Sequence, residues 1–150
     1  KLPRFLKSMY AKQLVETYAK LYDEDLWMMS TRQNELDRIK LGKSIEQVES
    51  IELGLLTELE QQLPLTFNFN NNPYKLAKLD GQLIAFSTTC PHMLGPLQES
   101  EIEKGIVECP WHGYKFDIRS RKCTSGAKCK LAPAPNISVD EKLGFVTASK

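Results

Sequence analysis

A mainly β protein with N-terminal helices is the fold class this sequence predicts, on three observations. Between Arg4 and Leu41 there is neither Gly nor Pro, and Phe5, Met9, Tyr18 and Tyr22 fall near helical spacing. From Glu52 onward the texture changes to short alternating runs separated by turn residues. Two of the loops between those runs each carry one Cys and one His, and these are the only two histidines in the chain. The division that follows is a helical segment over residues 1–50 and a small antiparallel β domain over residues 52–148.

Within the first segment, Leu6, Tyr10, Leu14 and Leu21 adjoin the apolar stripe. Ser30 or Thr31 is a candidate cap for a second helix, with Leu36 and Ile39 as its apolar side and Gly42 as its stop. Ile45, Val48 and Ile51 suggest a further short helix or the lead into the next domain. Met9, Tyr10, Tyr18, Tyr22, Trp27, Met28 and Met29 are expected to be core residues, which requires a surface to pack on. The segment has three readings: a helical platform on the β domain, a dimerisation arm, or the end of a larger upstream domain. The opening Lys1, rather than Met, is the hint for the last.

In the second segment Leu65, Phe67 and Phe69 alternate as in a half-buried strand, and Asn70-Asn71-Asn72-Pro73 signals a loop. Tyr74–Leu79 alternates again. Asp80-Gly81 is the strongest hairpin turn, followed by Leu83, Ile84 and Phe86. Ile106–Val107, Phe116–Ile118, Ile137–Val139 and Phe145–Val146 complete the strands, the last two flanking a turn at 142–144. Ala132-Pro133-Ala134-Pro135 is a stiff connector.

The chain's net charge of +1 gives no strong field for nucleic acid. No apolar run is long enough to span a bilayer, and no apolar stretch follows the first basic residues as in a secretory signal. A cytoplasmic location is therefore expected. Charge is segregated: residues 23–60 carry ten acids against four bases, whereas residues 115–130 carry six bases against Asp117 alone. Such stretches are ordinarily solvated faces; the sharper reading is that the basic one docks an acidic redox partner.

The chemistry sits in Cys90-Pro91-His92 and Cys109-Pro110-Trp111-His112, a C-x-H, then sixteen residues, then C-x-x-H. Zinc accepts two Cys and two His, but small zinc folds usually pair like with like, and here each loop supplies one of each. An iron–sulfur cluster with two thiolates on one iron and two imidazoles on the other suits this distribution. Cys123 and Cys129 remain as free thiols. Trp111, Tyr114 and Phe116 are expected to keep the site dry, Gly95 and Gly113 to permit tight loops, and Asp117 to pair with Arg119.

Residues 52–148 resemble the Rieske [2Fe–2S] domain family. The resemblance rests on Cys90-Pro-His-Met-Leu-Gly-Pro-Leu97 and Cys109-Pro-Trp-His-Gly-Tyr-Lys-Phe-Asp117, with Arg121-Lys-Cys-Thr-Ser-Gly126 and the Ala-Pro stretch downstream. It implies an antiparallel β-sandwich with two cluster-binding loops at its tip. By it, Cys90 and Cys109 ligate one iron, and His92 and His112 the other, with their outer nitrogens near solvent. High-potential respiratory members add a disulfide between the loops, at positions occupied here by Gly95 and Trp111. They also carry Ser and Tyr hydroxyl donors, where this chain has Tyr114 and Phe116. The resemblance therefore points to the low-potential type, similar to bacterial Rieske ferredoxins and oxygenase Rieske domains.

The implied function is one-electron transfer between a reductase and a terminal oxidoreductase, with no membrane or nucleic-acid partner. The exposed imidazoles are expected to couple reduction to proton uptake. An electron-input domain of a larger oxygenase-like or ligand-binding protein and a structural zinc module are the alternatives. A mononuclear iron site needs two further histidines, and this sequence has none to spare.

Overall fold

The computed structural model describes residues 3–150; the Lys1 opening lies outside them. The chain begins with one helix, α1 (Arg4–Gly42), of 39 residues, about 58 Å long. Two helices separated at Ser30 were expected, and the structure joins them. The Ser30 hydroxyl turns back to donate to the Trp27 carbonyl (3.0 Å) instead of capping a free amide. With neither Gly nor Pro nearby, nothing interrupts the ladder. Gly42 does end the helix, and Ser44 N–H closes on the Leu41 carbonyl at 2.9 Å.

Residues 43–49 are irregular, so the short helix considered there does not form. Ile51 instead lies in β1 (Ser50–Leu55), which the sequence reading missed. A single turn, α2 (Leu56–Leu59), leads to β2 (Leu65–Phe69), β3 (Asn72–Leu79) and β4 (Gln82–Ser87). Then come β5 (Ile102–Glu103), β6 (Ile106–Glu108), β7 (Lys115–Asp117), β8 (Asn136–Val139) and β9 (Phe145–Ser149). They form three antiparallel three-stranded sheets, ordered β1-β9-β8, β2-β3-β4 and β5-β6-β7.

Three of the hairpins turn on paired left-handed residues: Asn70-Asn71, Asp80-Gly81 and Lys104-Gly105, all with φ between 50° and 83°. That backbone matches the strand twist and explains the Asn and Asp-Gly signals. Lys104 is not a turn residue by composition, which is why β5 went unread. Gly105 is required for space as well, since a Cβ there would stand 2.8 Å from Leu79 Cδ2.

β3 departs from simple alternation. Tyr74, Lys75, Leu76 and Ala77 are all buried, because a segment after the first Cys-His loop covers the strand's second face. Lys75 Nζ donates to the carbonyls of Gln98 (2.6 Å) and Ser100 (3.0 Å), which satisfies a buried ammonium and anchors that segment. The core gathers Ala77, Phe86, Leu97, Val107, Phe116, Ile118 and Leu131 around Cys90 and Cys109. The two cysteines are therefore core residues at the end of the domain where both loops emerge.

Candidate metal centre

The two Cys-His loops are built as the same turn. In the first, Cys90 N–H donates to the Gly95 carbonyl (2.8 Å) and Leu94 N–H to the Cys90 carbonyl (2.9 Å). In the second, Cys109 N–H donates to the Tyr114 carbonyl (2.8 Å) and Gly113 N–H to the Cys109 carbonyl (2.9 Å). The fourth residue after each Cys is left-handed: Leu94 at φ 63° and Gly113 at φ 68°. Glycine adopts this conformation freely; leucine holds it at some strain, which the surrounding bonds must maintain. Each Cys is followed by Pro, which fixes φ as the turn begins. The first turn leaves β4 through Thr88 and Thr89, tied by Leu97 N–H to Thr88 O at 2.7 Å; the second joins β6 to β7.

This repeat sets the geometry of the four donors. Cys90 and Cys109 are about 1% and 2% exposed, and their thiols meet. The amides of His92 and Met93 point at the Cys90 sulfur, and those of Trp111 and His112 at the Cys109 sulfur. The hydrogen bond to Cys109 and burial push the Cys90 thiol up, while the hydrogen bond from Cys90 lowers Cys109 to about 6. His92 and His112 are exposed, with ring centroids 4.9 Å apart and planes at 86°. Tyr114 stacks on His92 at 4.4 Å, and Phe116 is fully buried behind the loops.

The donor set fits a two-iron cluster better than a single ion. Among the described residues no three of His, Cys, Asp or Glu converge to hold one metal. The four side chains form a buried thiol pair and a solvent-facing imidazole pair, and the backbone amides aimed at each sulfur favour thiolates. Gly95 keeps the space open: a Cβ there would lie 3.0 Å from Cys109 Sγ and 3.1 Å from the Trp111 ring. Gly95 and Trp111 thus lie close together across the two loops.

The sequence reading missed how α1 reaches this site. Trp27 meets Trp111 edge to face at 5.9 Å. Thr89 donates to Glu35 (3.0 Å), and Glu35 also holds Arg38 (2.7 Å). Arg38 donates to the Asn71 carbonyl (2.5 Å) and to Asn72 Oδ1 (3.0 Å), while Asn71 Nδ2 donates to the Arg38 carbonyl (3.0 Å). A cleft of about 360 Å³ lies between helix and loops, lined by Met29, Arg32, Leu36, Met93 and Trp111 among others. Arg119 does not pair with Asp117. It reaches Asp80, and Asp117 accepts the amide (2.7 Å) and hydroxyl (2.8 Å) of Ser120.

Comparison with known proteins gives the same family. The Rieske [2Fe-2S] domain model matches residues 49–136. The anthranilate 1,2-dioxygenase ferredoxin subunit of Burkholderia cepacia is 31% identical over 83 residues, 55% of this chain and 73% of that protein. Rice pheophorbide a oxygenase is 35% identical over 75 residues, 48% of this chain. The chain spans only 14% of that oxygenase's length and 12% of human apoptosis-inducing factor 3. Among solved structures, the ferredoxin of carbazole 1,9a-dioxygenase from Nocardioides aromaticivorans superposes with a TM-score of 0.56 at 21% identity, covering 69% of this chain and all of that one. With residues 49–136 matched by its model, this chain belongs to the Rieske [2Fe–2S] domain family, whose domain binds a [2Fe–2S] cluster.

Proposed function

We propose that Cys90, His92, Cys109 and His112 hold one [2Fe–2S] cluster and that the chain passes single electrons from a reductase to a terminal oxidoreductase. The observation that carries this reading is the repeated turn, which presents two buried thiols and two exposed imidazoles from one end of the β domain. The cluster would supply the one-electron couple. The protein's part is to exclude water from the sulfurs, aim four amides at them, and leave the imidazole edges open for exchange with a partner. Two ferredoxin components of dioxygenase systems among the relatives support the carrier role.

The same geometry supports the low-potential type. Phe116 is buried without a hydroxyl, Tyr114 stacks on His92, and Gly95 meets Trp111 where a disulfide would stand. Phe116 offers the sulfurs no hydroxyl donor, and the amides of His92, Met93, Trp111 and His112 point at them, so the added electron is less stabilised. A redox titration is expected to give a potential in the lower half of the family's range of about −150 to +300 mV; a value near the top would overturn the assignment.

The basic run over residues 115–130 adjoins the second loop, with Lys122, Lys128 and Lys130 exposed. It suits an acidic partner in the cytoplasm. Among the described residues no helix is long and apolar enough to cross a membrane. Changing the three lysines to Glu should slow reduction by an acidic partner roughly tenfold at low salt, and salt should remove the difference.

A second reading, an electron-input domain of a larger enzyme, is favoured by α1. Its first half carries large apolar residues on no surface of this chain, with Phe5, Val15 and Tyr18 all more than 60% exposed. Proteomic detection of the native polypeptide separates the two: a longer product with further domains supports the second reading, and one ending near these residues supports the carrier.

A further inference from the structure

The sixteen-residue basic run contains the two cysteines that the metal centre does not use. Cys123 and Cys129 are both free and half-buried, and both pack against the edge of the core. They stand on the two arms of a small antiparallel turn. Lys122 pairs with Lys130, Leu131 N–H donates to Arg121 O at 2.9 Å, and Cys123 N–H donates to Cys129 O at 3.1 Å.

In that register Cys123 and Cys129 are directly opposite. Opposed residues of an antiparallel pair project side chains to the same face, with Cα atoms about 5.5 Å apart. A disulfide needs Cα separations of about 4.4–6.8 Å, a range that brackets the spacing this register sets. The thiols are already near enough that each affects the other's ionisation.

The two sulfurs are not equivalent. Cys123 Sγ lies 3.2 Å from the Ser125 hydroxyl. Burial raises its pKa, but the Ser125 hydroxyl, the Ser125 and Ala127 amides and the Cys129 thiol outweigh that and leave it lowered. Cys129 is raised, by burial first and then by the charge on Cys123. Lys122, Lys128 and Lys130 are exposed neighbours in the same basic run, which favours the approach of anionic reactants.

We propose that Cys123 and Cys129 form a reversible dithiol switch that exchanges with small-molecule disulfides such as oxidised glutathione. The Cys123 thiolate attacks one sulfur of the disulfide, forms a mixed disulfide and expels one thiolate. Cys129 loses its proton to solvent and attacks the Cys123 sulfur, releasing the second thiol. Two protein thiols are oxidised to one disulfide, and the small disulfide is reduced to two thiols.

The ring closes on the turn that holds β7. Thr124 N–H donates to Lys115 O (2.8 Å), and Lys115 N–H to Ser125 Oγ (3.1 Å), one residue beyond Tyr114 of the second loop. Oxidation therefore clamps the segment directly following the metal centre.

The test uses the cluster-loaded protein, incubated without oxygen with oxidised glutathione, then read by intact mass and peptide mapping. The expected result is loss of two hydrogens, a Cys123–Cys129 link, full reversal by dithiothreitol and an unchanged cluster absorption. Cys129→Ser should trap glutathione on Cys123, and Cys123→Ser should react at Cys129 roughly tenfold more slowly. Two free thiols under excess oxidant, or a glutathione adduct that persists in the unsubstituted protein, would overturn the proposal. Neither result bears on whether the cluster carries electrons.

Discussion

The helix α1 and the β domain contain comparable apolar residues but use them in opposite ways. No residue of α1 is buried, although it carries Phe5, Met9, Tyr10, Leu14, Tyr18, Leu21 and Trp27. Every fully buried side chain among the described residues belongs to the β domain. What α1 lays on that domain is a stripe of half-buried residues at Met28, Thr31, Glu35, Arg38, Ile39 and Gly42, spaced about as a helix face requires and mixing apolar with polar or small side chains. Helical spacing of apolar residues therefore located a helix here and, at Trp27, Met28 and Ile39, part of its contact face, while the stripe of Met9, Tyr10, Tyr18 and Tyr22 stays exposed. The β domain is held by burial, whereas the helix is held by hydrogen bonds to the Asn70–Asn72 turn and to Thr89 together with the edge-to-face contact of Trp27 on Trp111.

That contrast predicts where substitutions matter. The largest effect belongs to Cys109→Ser, which removes a buried thiolate and should reduce iron from about two atoms per chain to near none by metal analysis. Next is Phe116→Ala, which empties a fully buried site behind both loops; urea unfolding should show a loss of about 3–5 kcal/mol. Gly95→Ala drives a Cβ against Cys109 Sγ and the Trp111 ring, and should destabilise the loaded protein by about 1–3 kcal/mol.

On the helix side the effects shrink. Glu35→Ala breaks the partly exposed pair with Arg38 and the bond from Thr89, for a loss of about 1 kcal/mol, with earlier hydrogen exchange in α1 than in β3. A loss as large as that of Phe116→Ala would erase the comparison.

The smallest effect is set by pH. Hydrogen bonds from the Ser120 amide and hydroxyl hold Asp117 below the ordinary carboxylate value. A depressed group contributes fully above its unfolded pKa, near 3.9, and loses that contribution as pH falls through its folded value. Asp117→Asn should therefore destabilise by under about 1 kcal/mol at pH 7, with the gap narrowing as urea midpoints are followed from pH 5 toward 3.

Most strands were legible because their turns use left-handed backbone that Asn, Asp and Gly supply cheaply, as at Asn70-Asn71 and Asp80-Gly81. β5 was hidden behind Lys104 and β1 behind an apolar stretch that reads equally as helix. At the metal centre, Cys90, His92, Cys109 and His112 stood out by spacing, and Gly95 by the tight loop it permits. The helix contribution had no such signal. Glu35, Arg38 and Trp27 are ordinary helix residues whose partners, Thr89, Asn71, Asn72 and Trp111, lie far along the chain. The Asn70–Asn72 run, readable only as a loop, also bonds Val48 on the connector between helix and domain.

The central claim is that two thiolates and two imidazoles hold one two-iron cluster. The measurement that tests it most directly is EPR of the dithionite-reduced protein with resolution of nitrogen couplings, alongside iron and zinc analysis. The account predicts a rhombic signal coupled to two imidazole nitrogens, lost in His92→Ala and His112→Ala, with about two irons per chain. A silent spectrum with about one zinc per chain would contradict it.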